Sequence, residues 1–130
     1  MATLQKIFAD LDLTFNRVPG SGDVAMRYDD QAVIASVRNL LLTNFYERPF
    51  QPSLGSNMNA MLFEPATNIS SGILADEIRN VITNYEPRAQ INTLTVSLTP
   101  DNNSFVVNLS IFIGNNVTAT NVNLLLQRSR

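Results

Sequence analysis

The sequence contains no cysteine and no histidine. Without cysteine the chain can form no disulfide and no thiolate metal site, and it has no thiol nucleophile. Without histidine it lacks the side chain that serves most often as general base and as metal ligand. These two absences exclude a large share of enzyme chemistry, and they lead us to expect no metal ion or other cofactor.

Basic charge is scarce as well. The chain has nine basic and eleven acidic residues, for a formal net charge of −2, and Lys6 is its single lysine. Nucleic-acid-binding domains carry a strongly basic surface. Nucleic acid is therefore not an expected partner.

Long apolar segments are also missing. Charges at Lys6, Asp10 and Asp12 interrupt the start of the chain. A signal peptide needs an unbroken apolar stretch there, and a transmembrane helix needs about 20 consecutive apolar residues. We therefore expect a protein that is made in the cytosol and has no membrane partner.

The length of 130 residues suits a single domain over residues 1–130. Residues 16–28 combine a proline, two glycines and polar residues without periodicity, which predicts an irregular arm or loop. The Gly-Ser-Gly sequence inside this segment does not indicate a phosphate-binding loop, because no clear strand precedes it and no Gly-Lys-Ser or Gly-Lys-Thr follows.

The first helical pattern covers residues 30–44, where apolar residues recur at spacings of three, four and seven. Asp29 and Asp30 stand at its start, where the helix dipole favours negative charge. Prolines follow from Pro49 onward and prevent the helix from continuing. A short helical turn is predicted at residues 57–63.

The second helical pattern covers residues 68–84, with Thr67 or Asn68 as the expected N-cap. Charged and amide side chains occupy one side of this helix. We expect its apolar side to face the core, and that side comprises Ile69, Ile73, Ile78, Val81, Ile82 and Tyr85.

The last third of the chain alternates apolar and polar residues, which predicts β-strands within 92–99, 104–113 and 117–126. Turn-forming residues separate them, so the strands should form an antiparallel three-strand, or slightly larger, sheet with one apolar face. Two main amphipathic helices packed on one face of this sheet would cover it. The predicted fold class is α+β.

A charged tripeptide, Glu86, Pro87 and Arg88, lies where the second helix gives way to the first strand of the sheet. Pro87 is a normal helix stop, and a cation just past a helix C-terminus gains about 0.3 to 1 kcal/mol. Glu86 and Arg88 could pair locally. From the residues alone, this structural role is the simpler interpretation.

Several large apolar residues are expected to be buried. Pro49 and Phe50 should shape and bury a turn, because large aromatic residues tend to lie inside. Phe63, Met58 and Met61 are ordinary core candidates.

Three segments together resemble a known family: "DLDLTF" at 10–15, the stretch from "GDVAMRY" to "MLFEP" at 22–65, and "IRNVITNYEPRAQINTLTV" at 78–96. The chain is similar to the baseplate wedge and sheath-initiator proteins of contractile phage tails. The same family includes the corresponding baseplate component of type VI secretion systems. Its distinctive elements here are Glu-Arg-Pro-Phe at 47–50 and Leu-Phe-Glu-Pro at 62–65, together with the Glu-Pro-Arg tripeptide.

The resemblance implies a non-catalytic building block, present in several copies in the virion tail baseplate and assembled in the host cytoplasm. Its implied partners are the wedge proteins, which form a helical core bundle, and the tail sheath protein, whose first ring assembles on it. The resemblance assigns the contact with the core bundle to Glu86, Pro87 and Arg88. On this basis Arg88→Ala should leave the melting temperature nearly unchanged while it prevents incorporation into the wedge. An unpaired strand edge of the sheet, supplied by 92–99, 104–113 or 117–126, is expected to meet the sheath.

Two alternatives remain open. A type VI secretion baseplate component would play the same role, although the early start of the resemblance favours a phage protein. A lysozyme-like enzyme would need two carboxyl groups roughly 5 to 9.5 Å apart, one of them with a raised pKa. No spacing marks such a pair among the candidates Glu47, Glu64, Glu77 and Glu86, so we expect no enzyme activity.

Overall fold

The computed structural model describes residues 7–65, 67–102 and 104–127. A three-stranded sheet, a small two-stranded sheet and three α-helices form this part of the chain, which confirms the α+β class. In chain order the elements are β1 (Ala9–Leu11), β2 (Met26–Tyr28), α1 (Asp29–Leu42), α2 (Met58–Met61), α3 (Asn68–Tyr85), β3 (Ala89–Thr99), β4 (Ser104–Ile113) and β5 (Thr120–Gln127), with a single 3₁₀ turn at Pro100–Asn102.

The larger sheet is an antiparallel meander in the order β3-β4-β5. Residues on one face follow its register, as in the row Val96, Val107 and Leu124. Because β4 lies in the centre, the expectation that residues 104–113 could supply a free edge is wrong. The free edges belong to β3 and β5.

Both long helices are buried against this sheet. α1 packs on α3, and α3 packs on β3. Fully burying one large aliphatic side chain contributes about 1.5 to 3 kcal/mol, so this layer is the main source of stability. Its fully buried members are Val33, Val37 and Leu41 from α1, Leu74, Ile78 and Ile82 from α3, and Phe105, Val107, Leu109, Ile111 and Val122 from the sheet.

α3 begins as predicted but is rotated relative to the expected face. Ile69 and Ile73 are 79% and 53% exposed, so their assignment to the core is wrong. Ile73 precedes Ile78 by five residues, which places it about 140° around the helix from the buried stripe. The stripe runs instead through Ser70 and Leu74.

The start of α3 explains why a serine can join a buried stripe. Thr67 is the N-cap, and its Oγ1 accepts a hydrogen bond from the Ser70 N–H at 3.1 Å. The Ser70 hydroxyl in turn accepts from the Thr67 N–H at 2.7 Å. This reciprocal capping box satisfies the polar atoms of Ser70 inside the protein.

The segment 16–28 is only partly the irregular arm that was predicted. Its last three residues form β2, which pairs with β1 through Ala9–Tyr28 and Leu11–Met26. Strands of three residues are too short to show a periodicity in the sequence.

Asp29 fixes the beginning of the described chain to α1. Its Oδ1 accepts the N–H groups of Ile7 and Phe8 at 2.8 and 3.1 Å, and its own N–H donates to the Phe8 carbonyl at 2.8 Å. Phe8 is thereby held beside the end of the large sheet. Across the described ranges, no helix combines the length and apolar character needed to cross a membrane.

Candidate partner-binding groove

Glu86 and Arg88 form a bidentate ion pair directly after α3. The Arg88 Nε donates to Glu86 Oε1 at 2.6 Å, and Nη2 donates to Oε2 at 2.8 Å. The Ser36 hydroxyl of α1 also donates to Glu86 Oε2. Both carboxylate oxygens are therefore occupied from within the chain.

Burial makes Glu86 unusual among the acidic residues, since it is only 3% exposed. Burial by itself would raise its pKa, and this is the largest single influence. The hydrogen bonds from Arg88 and Ser36 together outweigh burial, so the pKa of Glu86 lies below its ordinary value. Glu86 thus stays ionised as a buried anion.

Arg88 and Pro87 remain at the surface. The Arg88 side chain is about one-third exposed. Its hydrogen bonds to Glu86 are the main reason that the pKa of Arg88 is raised. The guanidinium lies 5.4 Å from the ring centroid of Phe8, a distance at which a cation and an aromatic face attract.

The structure therefore shows the local pairing that was the simpler interpretation of the tripeptide. It brings Glu86, Pro87 and Arg88 together, but it turns the carboxylate inward and leaves the proline and the guanidinium outside. Sequence reasoning missed Ser36 and Phe8. Ser36 lies 50 residues from Glu86, and no local pattern marks such a contact.

A surface groove of about 450 Å³ runs beside this ion pair. The side of α1, the loop after α1 and the end of α3 form its walls. The lining residues are Ser36, Asn39 and Leu40 of α1, Tyr85 of α3, Glu86, Pro87 and Arg88 directly after α3, and Asp10, Thr43, Arg48, Gln51 and Leu54 from other segments.

The loop after α1 is tightly organised. Both carboxylate oxygens of Glu47 accept hydrogen bonds from Asn44, from its N–H at 2.9 Å and its side-chain amide at 2.7 Å. These bonds lower the pKa of Glu47, the backbone bond having the largest effect.

A glycine closes the same loop against α1. Gly55 has φ +142°, and a Cβ there would lie 2.8 Å from the Thr43 carbonyl oxygen and from the Asn44 carbonyl carbon. No side chain fits so close to the backbone. Glycine is therefore required at this position.

Two aromatic residues of this loop are exposed in strained conformations. Tyr46 and Phe50 have φ values of +67° and +69° and are 84% and 102% exposed. The prediction that Phe50 is buried is wrong, because this backbone turns its ring away from the protein. Phe63 is also exposed, whereas Met58 is buried as predicted.

Residues 27–121 match the family described as baseplate wedge protein gp25. The chain belongs to this family. The match includes α1, α3, most of the sheet and every residue that lines the groove except Asp10. The family is one of structural baseplate proteins, so this chain is a structural wedge component of the baseplate in a contractile injection system, that is, of a phage tail or a related particle.

Individual relatives agree with this assignment. Baseplate wedge protein gp25 of Enterobacteria phage T4 is 28% identical over 100 residues, which are 77% of this chain and 74% of the phage protein. The baseplate complex of a type VI secretion system contains a chain with the same fold, with a TM-score of 0.64 and 14% identity over 75% of this chain and 92% of that one.

A third relative bears the name of an enzyme. A Geobacter sulfurreducens protein, named as a candidate tail lysozyme, shares the fold with a TM-score of 0.68 and 18% identity over 75% of this chain and 89% of its own. At this identity the likeness extends to the fold alone.

Two of the four glutamates considered as glycosidase candidates, Glu47 and Glu86, have pKa values shifted away from that of a glycosidase acid. A glycosidase acid needs a raised pKa. The pKa values of Asp12, Glu47 and Glu86 are all displaced downward by hydrogen bonds. Within the described ranges, no group of three or more acidic side chains is placed to hold a metal ion.

Proposed function

We propose that this chain joins the wedge of a phage-type baseplate by binding the helical core bundle of the wedge proteins at the groove beside Pro87 and Arg88. The observation that carries the proposal is the buried anion of Glu86, which holds the Arg88 guanidinium in one orientation at the groove. A pre-positioned side chain loses less conformational entropy on binding than a free one.

Arg88 still has binding capacity in this arrangement. A guanidinium has five N–H donors, and Glu86 takes two of them. The remaining N–H groups can donate to a second carboxylate or to backbone carbonyls of a partner helix. In this proposal Arg88 and Pro87 make the contact, while Glu86 positions them.

The test compares Arg88→Lys with Arg79→Lys. Lysine keeps the positive charge beside Glu86 but cannot reproduce the bidentate hydrogen bonds of the guanidinium. Arg79 forms an exposed pair with Asp76 on α3 and does not line the groove, so it is the matched control. We expect the affinity of Arg88→Lys for co-expressed wedge proteins to fall by about 10-fold or more, as for residues that contribute strongly to an interface. Equal binding by both variants would contradict the proposal.

The larger sheet supports a second contact, with the tail sheath protein. Both edge strands are uncharged, and Asp101 is the sole charged residue in the segment 89–127. Edges without lysine or other charged residues can accept an added strand. No further strand pairs with β3 or β5 in the described part of the chain. We propose that one of these edges receives a strand of the first sheath ring.

A type VI secretion baseplate would use the same surfaces, and the shared fold with such a complex keeps that assignment as the alternative. The neighbouring genes distinguish the two machines. Capsid and tape-measure genes would support the phage assignment, whereas a secretion ATPase and membrane-complex genes would contradict it.

A further inference from the structure

Arg48 is a second arginine that lines the groove, beside the paired Arg88. Arg88 shares its charge with Glu86, whereas the ion pairs of the described residues do not include Arg48. The neighbouring Glu47 accepts hydrogen bonds from Asn44 with both carboxylate oxygens and forms no ion pair with Arg48. Asp10 also lines the groove, but its charge acts on Arg88. The groove lining is balanced in charge, with Asp10 and Glu86 against Arg48 and Arg88, but the Arg48 guanidinium has no ion-pair partner among the described residues.

Tyr46 and Phe50 flank Arg48 in the chain, two residues away on each side. Both are non-glycine residues with left-handed backbone conformations, which cost folding free energy. Neither ring gains burial in return, since both are almost fully exposed. Backbone strain of this kind clusters at functional sites such as ligand clamps.

We propose that the loop 45–50 is the second half of the wedge interface. Arg48 binds a carboxylate of a wedge protein, and Tyr46 and Phe50 pack on apolar side chains next to that carboxylate. The occupant is thus a protein segment in which an acidic residue is bracketed by apolar ones. Charge complementarity at Arg48 selects the acidic residue, because no carboxylate of the described residues pairs with this guanidinium. This inference rests on the proposed wedge contact and names the partner's chemistry.

The experiment measures the affinity of purified variants for the co-expressed wedge proteins and, separately, their melting temperatures. The test variants are Arg48→Ala and Phe50→Gly. Arg79→Ala and Val117→Gly are matched controls, since Arg79 is an exposed arginine outside the groove and Val117 an exposed apolar loop residue. Glycine at position 50 also relieves the left-handed strain, so its melting temperature should not fall.

We expect each test variant to bind about 10-fold or more weakly, as for central interface residues, and each control to bind normally. The affinity of Arg48→Ala should also depend less on salt, because one ion pair is lost. Normal binding by both test variants would overturn the inference.

Two further results separate this inference from the proposed function. If Arg88→Lys weakens binding and the loop variants do not, the Arg88 contact stands and the loop assignment fails. If only the loop variants weaken binding, the loop is the interface and the role of Arg88 is refuted. Binding of the wild-type chain to anionic phospholipid vesicles, lost in Phe50→Gly, would assign the loop to a membrane and overturn the inference.

Discussion

Replacing Arg88 by methionine should destabilise the isolated protein strongly. Methionine keeps much of the apolar stem of the side chain but removes both donors to Glu86. Of the side-chain hydrogen bonds to the buried carboxylate, only that from Ser36 would then remain. This expectation differs from the sequence-based one, in which Arg88→Ala leaves the melting temperature nearly unchanged, and the burial of Glu86 is the reason.

The magnitude follows from the geometry of the pair. Removing one partner of a buried ion pair costs about 3 to 5 kcal/mol. The Arg88 side chain is one-third exposed, and water can partly replace it, so we expect about 2 to 4 kcal/mol. With an unfolding entropy of about 2.1 cal/mol/K per residue, the 130-residue chain should lose about 7 to 15 °C in melting temperature.

The assay is thermal and urea unfolding of Arg88→Met, Glu86→Gln and the double variant. Because the penalty comes from a buried charge, adding Glu86→Gln to Arg88→Met should restore part of the lost stability. A melting temperature of Arg88→Met within about 2 °C of the wild type would refute the reasoning, because that difference corresponds to less than about 1 kcal/mol of unfolding free energy. So would a double variant that is less stable than Arg88→Met.

Three other predictions concern the glycines, the pH response and the sheet edge. Gly55→Ala should lower the unfolding free energy by about 3 kcal/mol or more, because the added Cβ clashes with the backbone and strains it. Gly72→Ala, in the interior of α3 where nothing lies near the added Cβ, should raise it by about 0.5 to 1 kcal/mol. Urea unfolding measures both, and equal effects of the two substitutions would contradict the prediction. The folded-state pKa of Glu86 is depressed, so its stabilising contribution is present above the unfolded pKa of about 4.3 and is lost as the pH falls through the folded pKa. Between pH 6 and 3 the wild type should therefore lose more unfolding free energy than Glu86→Gln. Parallel pH profiles of the two proteins would contradict this prediction. The N–H groups of Asn123 and Leu124 in β5 point in opposite directions. If the β5 edge receives the sheath strand, proline at whichever of the two positions faces that free edge should leave the chain folded but block sheath growth. Full-length sheaths on such baseplates would rule out the β5 edge and leave the β3 edge to be tested in the same way.

The regular elements could be predicted because their periodicities are long. α1, α3 and the strands of the large sheet each span eight residues or more, enough for a pattern to repeat. The rotation of α3 could not be predicted from apolar residues alone. Isoleucines at positions 69 and 73 compete with Leu74 for the core, and the Thr67–Ser70 capping box favours the stripe that contains the serine.

The candidate site was only partly visible in the sequence. Glu86, Pro87 and Arg88 form a recognisable tripeptide, but the inward direction of Glu86 depends on Ser36, which comes from another helix. The exposure of Phe50 depends on its positive φ, and neither its residue type nor its neighbours signal that conformation. Long-range contacts and backbone strain were therefore the parts that required the structure.

Site-specific crosslinking tests the central claim most directly. A photoreactive amino acid replaces Pro87, which is exposed at the groove, or Ile69, which is exposed on α3 and does not line the groove. Our account predicts that the probe at position 87 forms a covalent adduct with a core-bundle wedge protein in assembled baseplates and that the probe at position 69 does not. An adduct from position 69 alone would contradict it.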